Sequence, residues 1–184
     1  MMAIGTGTES IGVGTRFRSH ADWFVAERIG ELHMAQVGTT GERAVDLLHA
    51  LAFHLDPAVD VVIDSVRERA AWHGSFLALP DVRDAIGRLK LTLSTYGGVE
   101  ISVFTPDDQL SLTPELSLVL YARTDRWLYL LEGMGLEERT MLPKSVWQPT
   151  RKRLAPAPEL SDSVRAAVDR LALAPMASSF GNDK

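Results

Sequence analysis

The sequence predicts an α+β fold: an N-terminal helical layer, an antiparallel β-meander of about four to six strands, and a C-terminal helix. Three observations carry this. Apolar residues recur every three to four positions through residues 19–88, every second position through 89–147, and every three to four again from Ser161. Helices and strands segregated in this way read as α+β rather than as alternating βαβ units. The chain has 184 residues, 46% hydrophobic, enough to bury one core without disulfide or metal staples. Residues 19–174 therefore read as one domain, with a flexible lead-in at 1–18, a proline-rich connector at 148–160 and a flexible tail at 175–184.

The lead-in is rich in Gly and Thr, with one short strand at Gly12–Arg18. Its glycines do not form G-x-G-x-x-G behind a strand, so no phosphate-cradling loop is expected. A helix is expected over His20–Val37. Ser19 suits the N-cap, Asp22 falls in the first turn, where the helix dipole favours an acid, and Gly38 follows the last apolar residue. A second helix is expected over Thr40–Leu55. Thr39 and Glu42 have capping-box spacing, and Ala44, Val45, Leu48, Leu51, Ala52 and Leu55 form one stripe. Asp56-Pro57 can start a third helix in which Val59, Val62, Ile63, Val66 and Ala70 share a face, although the β-branched run leaves a strand as the competitor. Pro80–Arg88 suits one more short helix, with Val82, Ala85, Ile86 and Leu89 inward.

The period then falls to two. Leu89–Thr95 and Val99–Val103 alternate around Tyr96-Gly97-Gly98 and read as a hairpin pairing Leu93 with Ile101 and Leu91 with Val103. Pro106-Asp107-Asp108 is a turn, and Gln109–Thr113 a short edge strand stopped by Pro114. Leu116–Arg123 and Trp127–Glu132 make a second hairpin around Thr124-Asp125-Arg126, and Glu138–Leu142 can add a strand. Ser161 caps the last helix, with Val164, Ala167, Val168 and Leu171 inward and Pro175 beyond its end. That helix is expected over part of the sheet face that the N-terminal helices leave free.

The formal net charge of −5 argues against nucleic acid as a partner, because such binding needs many Lys and Arg to displace counterions. The one basic cluster, Arg151-Lys152-Arg153, reads as a solvated connector. No signal-like segment opens the chain, and no apolar run approaches the ~20 residues of a membrane span. With no cysteine, thiolate chemistry and Cys-ligated metal are excluded, and a cytoplasmic location is expected.

No catalytic motif stands out, no metal site is expected and no cofactor is implied. His49 and His54 are five apart and diverge on a helix, where a zinc pair needs four. A metal shared between His33 and one of these is open to geometry but not demanded by spacing. His73-Gly74-Ser75 sets a hydroxyl near an imidazole, but there is no G-x-S-x-G elbow. The pairs Asp60/Asp64 and Asp107-Asp108 read as surface and turn carboxylates.

One feature is less ordinary. In the expected Leu116–Glu132 hairpin both faces are apolar, and the second face would carry Val119, Tyr121, Trp127, Tyr129 and Leu131. A solvated sheet face should be polar, and tyrosine and tryptophan suit interfaces. The C-terminal helix could cover these rings, a protein partner or second copy could dock on them, or a small apolar ligand could lie there. The sequence thus points to a cytosolic non-enzymatic interaction protein, an adaptor, chaperone-like factor or complex subunit. The alternative is a small-molecule binder or enzyme with an apolar cavity between sheet and helices, where His33, His49 or His54 could handle protons. A third alternative is metal-dependent hydrolysis.

Overall fold

A computed structural model describes residues 22–141 and 156–179. In chain order these form β1 (Trp23–Ile29), β2 (Leu32–Gly38), α1 (Gly41–Ala52), β3 (Ala58–Ser65), β4 (Ala70–Ala78), α2 (Leu79–Tyr96), β5 (Val99–Phe104), β6 (Asp108–Leu112), β7 (Leu118–Ala122), α3 (Arg126–Gly133), β8 (Glu137–Glu138), α4 (Pro158–Arg170) and β9 (Ala174–Met176). The fold is mixed α+β. The strands form one nine-stranded sheet in the order β8-β1-β2-β7-β6-β5-β3-β4-β9, antiparallel except for the β1–β8 pair. Its two outermost strands are only two and three residues long, and one contains Pro175; short edges of this kind resist pairing with foreign strands.

The first face of the sheet is built by alternation. Val61 and Ile63 of β3 stand opposite Val103 and Ile101 of β5, which face Leu110 and Leu112 of β6, then Leu120 and Leu118 of β7, then Ala35 and Val37 of β2. All are buried in one core with the inner stripes of α1, α2 and α4 and with Trp127 and Leu131 of α3. α1 rests on β6 and β7, α2 on β3 and β4, and α4 lies alongside α2. The two ends of the α2–α4 pair are marked by Tyr96 Oη donating to Glu159 at 3.1 Å and by Arg170 meeting Asp84 at 2.6 Å.

The second helix, the β5 strand and the β7 strand lie where the sequence placed them, and the α1 stripe from Ala44 to Leu55 is buried. The N-cap is Thr40 rather than Thr39, its hydroxyl accepting from the Arg43 amide. Several expectations are overturned. His20–Val37 is not a helix over its described residues but the β1–β2 hairpin, because Gly30 takes φ +63° in a two-residue turn. A helix would have buried Ile29 and Leu32; they stand 52% and 39% exposed beside that turn. The third expected helix is β3, so the β-branched competitor wins and Asp60 points out between Val59 and Val61. The helix from Pro80 does not stop at Arg88 but continues through the expected strand Leu89–Thr95. Leu89 and Leu93 are one turn apart and buried, whereas Leu91 is 76% exposed. The Leu93–Ile101 hairpin is therefore absent.

β6 is a central strand rather than an edge, flanked by β5 and β7. Trp127–Glu132 is helical, so the second hairpin is absent as well. The last helix starts at Pro158, not Ser161, and lies in the helical layer rather than over the free sheet face. The expected tail contributes β9, paired with Ala71–His73 of β4. The helical layer is thus interspersed with the strands, and the sheet is larger than the expected meander. The lead-in with its strand at Gly12–Arg18, most of the connector, the Arg151-Lys152-Arg153 cluster and residues 180–184 lie outside the described residues.

Candidate functional site

The helices and the core share the first face; the register defines what the second face carries. One row of neighbours crosses seven strands: Val25, Gln36, Val119, Ser111, Ser102, Val62 and His73. The next row runs Glu27, Met34, Tyr121, Gln109, Phe104 and Asp60. Val62, Phe104, Val119, Tyr121 and Met34 are half-buried, and the apolar members flank a polar centre.

That centre is a directed chain of hydrogen bonds. Gln109 Nε2 donates to Ser111 Oγ at 2.8 Å, the two serine hydroxyls are 2.7 Å apart, and Ser102 Oγ donates to Glu100 Oε1 at 3.1 Å. Since Ser102 spends its proton on Glu100, Ser111 must be the donor in the serine pair. Each hydroxyl then donates once and accepts once. Both serines are buried, so this satisfaction removes the cost of unpaired polar groups under the sheet surface. At the β3–β4 end of the face, the buried Asp64 carboxylate accepts from Ser178 Oγ at 2.6 Å and from the Ser179 amide at 2.7 Å, which draws the residues after β9 onto this face. At the other end, the Trp23 indole occupies the space where a Cβ on Gly38 would stand.

The five residues singled out in the sequence separate. Val119 and Tyr121 lie side by side on the second face, as expected of β7. Trp127, Tyr129 and Leu131 do not join them, because α3 replaces the strand that would have carried them there. Trp127 and Leu131, four apart on one helical side, enter the core; Tyr129 points the other way and is 66% exposed. Trp127 is held by a polar knot. Its Nε1 donates to Asp108 Oδ1 at 2.8 Å, Arg126 pairs with the other carboxylate oxygen, and the Arg126 guanidinium sits 4.9 Å from the indole centroid. Asp108, read as a turn residue, is instead the buried first residue of β6.

The histidines stay apart. His33 is on β2; His49 and His54 are on and just beyond α1, where His54 meets the edges of Phe53 and Trp127. Among the described residues no group of three or more His, Asp or Glu is placed to hold a metal ion. Two surface hollows stand out, one between α2 and α4 and one beside Glu31, Leu32 and Arg123; neither lies between sheet and helices. Sequence reasoning missed the serine relay, although the polar alternation at Glu100 and Ser102 was its signal. It also missed Phe53 and Phe76, two strongly exposed phenylalanines that no periodic pattern marks.

His49 carries a pH dependence. It faces α2 at Gly87, with the charges of Arg83 and Asp46 acting on it. Burial first, and the Arg83 charge second, lower its pKa from the ordinary 6.5, with Asp46 opposing. The folded state thus holds the proton less tightly than the unfolded chain. Its contribution is complete above that ordinary value and declines as pH falls through 6.5 toward the lower folded value. His49→Gln should flatten the fall in melting temperature as the pH drops below 6.5, relative to the parent. Parallel melting curves for the two proteins across that window would rule this out.

Comparison with protein-family models, with curated proteins and with solved structures finds no match.

Proposed function

We propose that this protein is a non-enzymatic binding module of the cytosol that docks a protein partner on the second face of its sheet, through Val119 and Tyr121 with Met34 and Phe104 beside them. The observation that carries this reading is the combination at the middle of that face. Half-buried apolar side chains surround a polar centre whose two buried serine hydroxyls each donate once and accept once. A partner can cover the two serines with apolar groups and leave no buried hydroxyl unsatisfied, with a donor of its own for the Glu100 carboxylate at the end of the chain. No described helix lies there, and the tyrosine supplies contact area with a polar edge. Trp127 and Leu131 face the interior and are not part of the proposed contact.

A photo-crosslinking residue placed at Val119 or Tyr121, in cells that make the protein, should give a discrete adduct with a partner. Met34→Arg on the same face should weaken that adduct about tenfold, the effect of one well-placed interface residue. The same crosslinker at Asp162, exposed on α4, should give none. Absence of an adduct at both sheet positions, or an identical adduct from Asp162, would refute the reading.

A further inference from the structure

A second surface is defined by Phe76, which is 88% exposed. The β3–β4 register shifts between Val59 and Val61, leaving Ser75 and Phe76 opposite Asp60 in a bulge. Phe76 takes φ +55°, where aromatic residues are rare, and its amide donates to Asp60 Oδ1 at 2.9 Å. The bulge turns the ring outward. Around it the charge is acidic. The Leu79 amide donates to the Pro57 carbonyl at 2.9 Å, which ties the start of α2 to the α1–β3 link. Asp56 lies on that link beside the end of β4, and with Asp60 it is exposed. The nearby Arg83 is engaged elsewhere, donating to the His49 carbonyl and lying over the Phe53 ring.

The α2–α4 hollow has the opposite character. Its floor is Ala85, Leu89 and Ala167, Ala166 is exposed at its edge, and its rim carries Arg88 and Arg170. Both arginines share one carboxylate, Asp84, at 2.9 and 2.6 Å, so the rim keeps a net positive charge. The hollow measures about 270 Å³, and a space of about 150 Å³ is enough to take a benzene ring. Phe76 of the same chain does not line it.

We propose that Phe76 of one copy inserts into the α2–α4 groove of a second copy, its acidic surroundings meeting Arg88 and Arg170, so that the protein self-associates head to tail. Knob and groove are different patches of one surface. The contact is therefore heterologous and can repeat from copy to copy, unlike a two-fold dimer. It does not involve the second sheet face.

Sedimentation equilibrium across a concentration series reaching ~1 mM tests this. The parent protein should rise above its monomer mass of 20.2 kDa and continue past the dimer. Phe76→Asn removes the ring and substitutes a residue that tolerates the left-handed backbone, so this variant should fold at least as well and remain a monomer. Ala166→Trp, at an exposed α4 position, should fill the groove and also give a monomer. An equimolar mixture of the two variants retains one intact knob and one intact groove. It should form a dimer of twice the monomer mass and grow no further. A parent protein that stays monomeric overturns the proposal, and so does a mixture that fails to pair while the parent associates. Tyr121→Arg should leave this association unchanged, which separates its failure from that of the sheet-face reading.

Discussion

Trp127→Ala should destabilise the protein by about 3–5 kcal/mol, the range for deleting a fully buried large aromatic side chain. Trp127 is 2% exposed and is the largest of the fully buried side chains. Its removal opens a cavity that the surrounding residues can only partly fill, and it takes away the donor to Asp108 Oδ1. For a chain of this length each kcal/mol lowers the melting temperature by roughly 2–4 °C, so a fall on the order of 10 °C is expected. Trp127→Phe keeps most of the volume and loses the N–H. The difference between the two variants in urea unfolding separates packing from hydrogen bonding. Equal destabilisation by Ala and Phe would show that the indole N–H, not the ring, holds α3 down. A loss below about 1 kcal/mol for Trp127→Ala would contradict its burial altogether.

Asp108→Ala should cost about 2–4 kcal/mol, since it removes a buried acceptor from a hydrogen-bonded ion pair. The two donors fare differently. Arg126 is half-exposed and can turn to water, whereas the Trp127 side chain is buried and its N–H has no other partner among the described residues. Most of the loss therefore comes from the tryptophan side. Asp108→Asn retains an oxygen for Trp127 and should cost about 1 kcal/mol, the scale of one ordinary hydrogen bond. A double-mutant cycle of Asp108→Ala with Trp127→Phe should show coupling well above 0.5 kcal/mol, as residues of one network do. Additive effects would mean that the knot is a contact in geometry only.

The same knot shows how the sequence misleads. In Trp127–Glu132 apolar residues fill both alternating sets, and a strand with two greasy sides was the inference. Residues that are apolar at every position do not distinguish period two from period 3.6; a short helix satisfies them by burying Trp127 and Leu131 and exposing Tyr129. Leu89-Lys90-Leu91-Thr92-Leu93 alternates cleanly, yet two of its three leucines also stand four apart, and Pro80 had already begun a helix with no stop before Gly97. Gly30 in the middle of a supposed helix was the legible warning of the β1–β2 turn. What could be read correctly was local and strongly periodic: the α1 stripe, the β5 alternation, and Val119 and Tyr121 on the outer side of β7. What could not be read was long-range. No local pattern states that residues 33–37 pair with residues 118–122, or that Ser102 and Ser111 end up bonded to each other.

The two outermost ribbons of the sheet have a consequence for biosynthesis. Both come from the last third of the chain, at Glu137–Glu138 and Ala174–Met176. While the ribosome is still adding residues beyond Gly133, the flanks of β1 and β4 have no neighbour of their own to pair with. Nascent chains stalled in that interval leave Trp23–Phe24 and Ala71–His73 bare in addition to the remainder of both margins, and these are the molecules on which holding factors would act and from which aggregates would start.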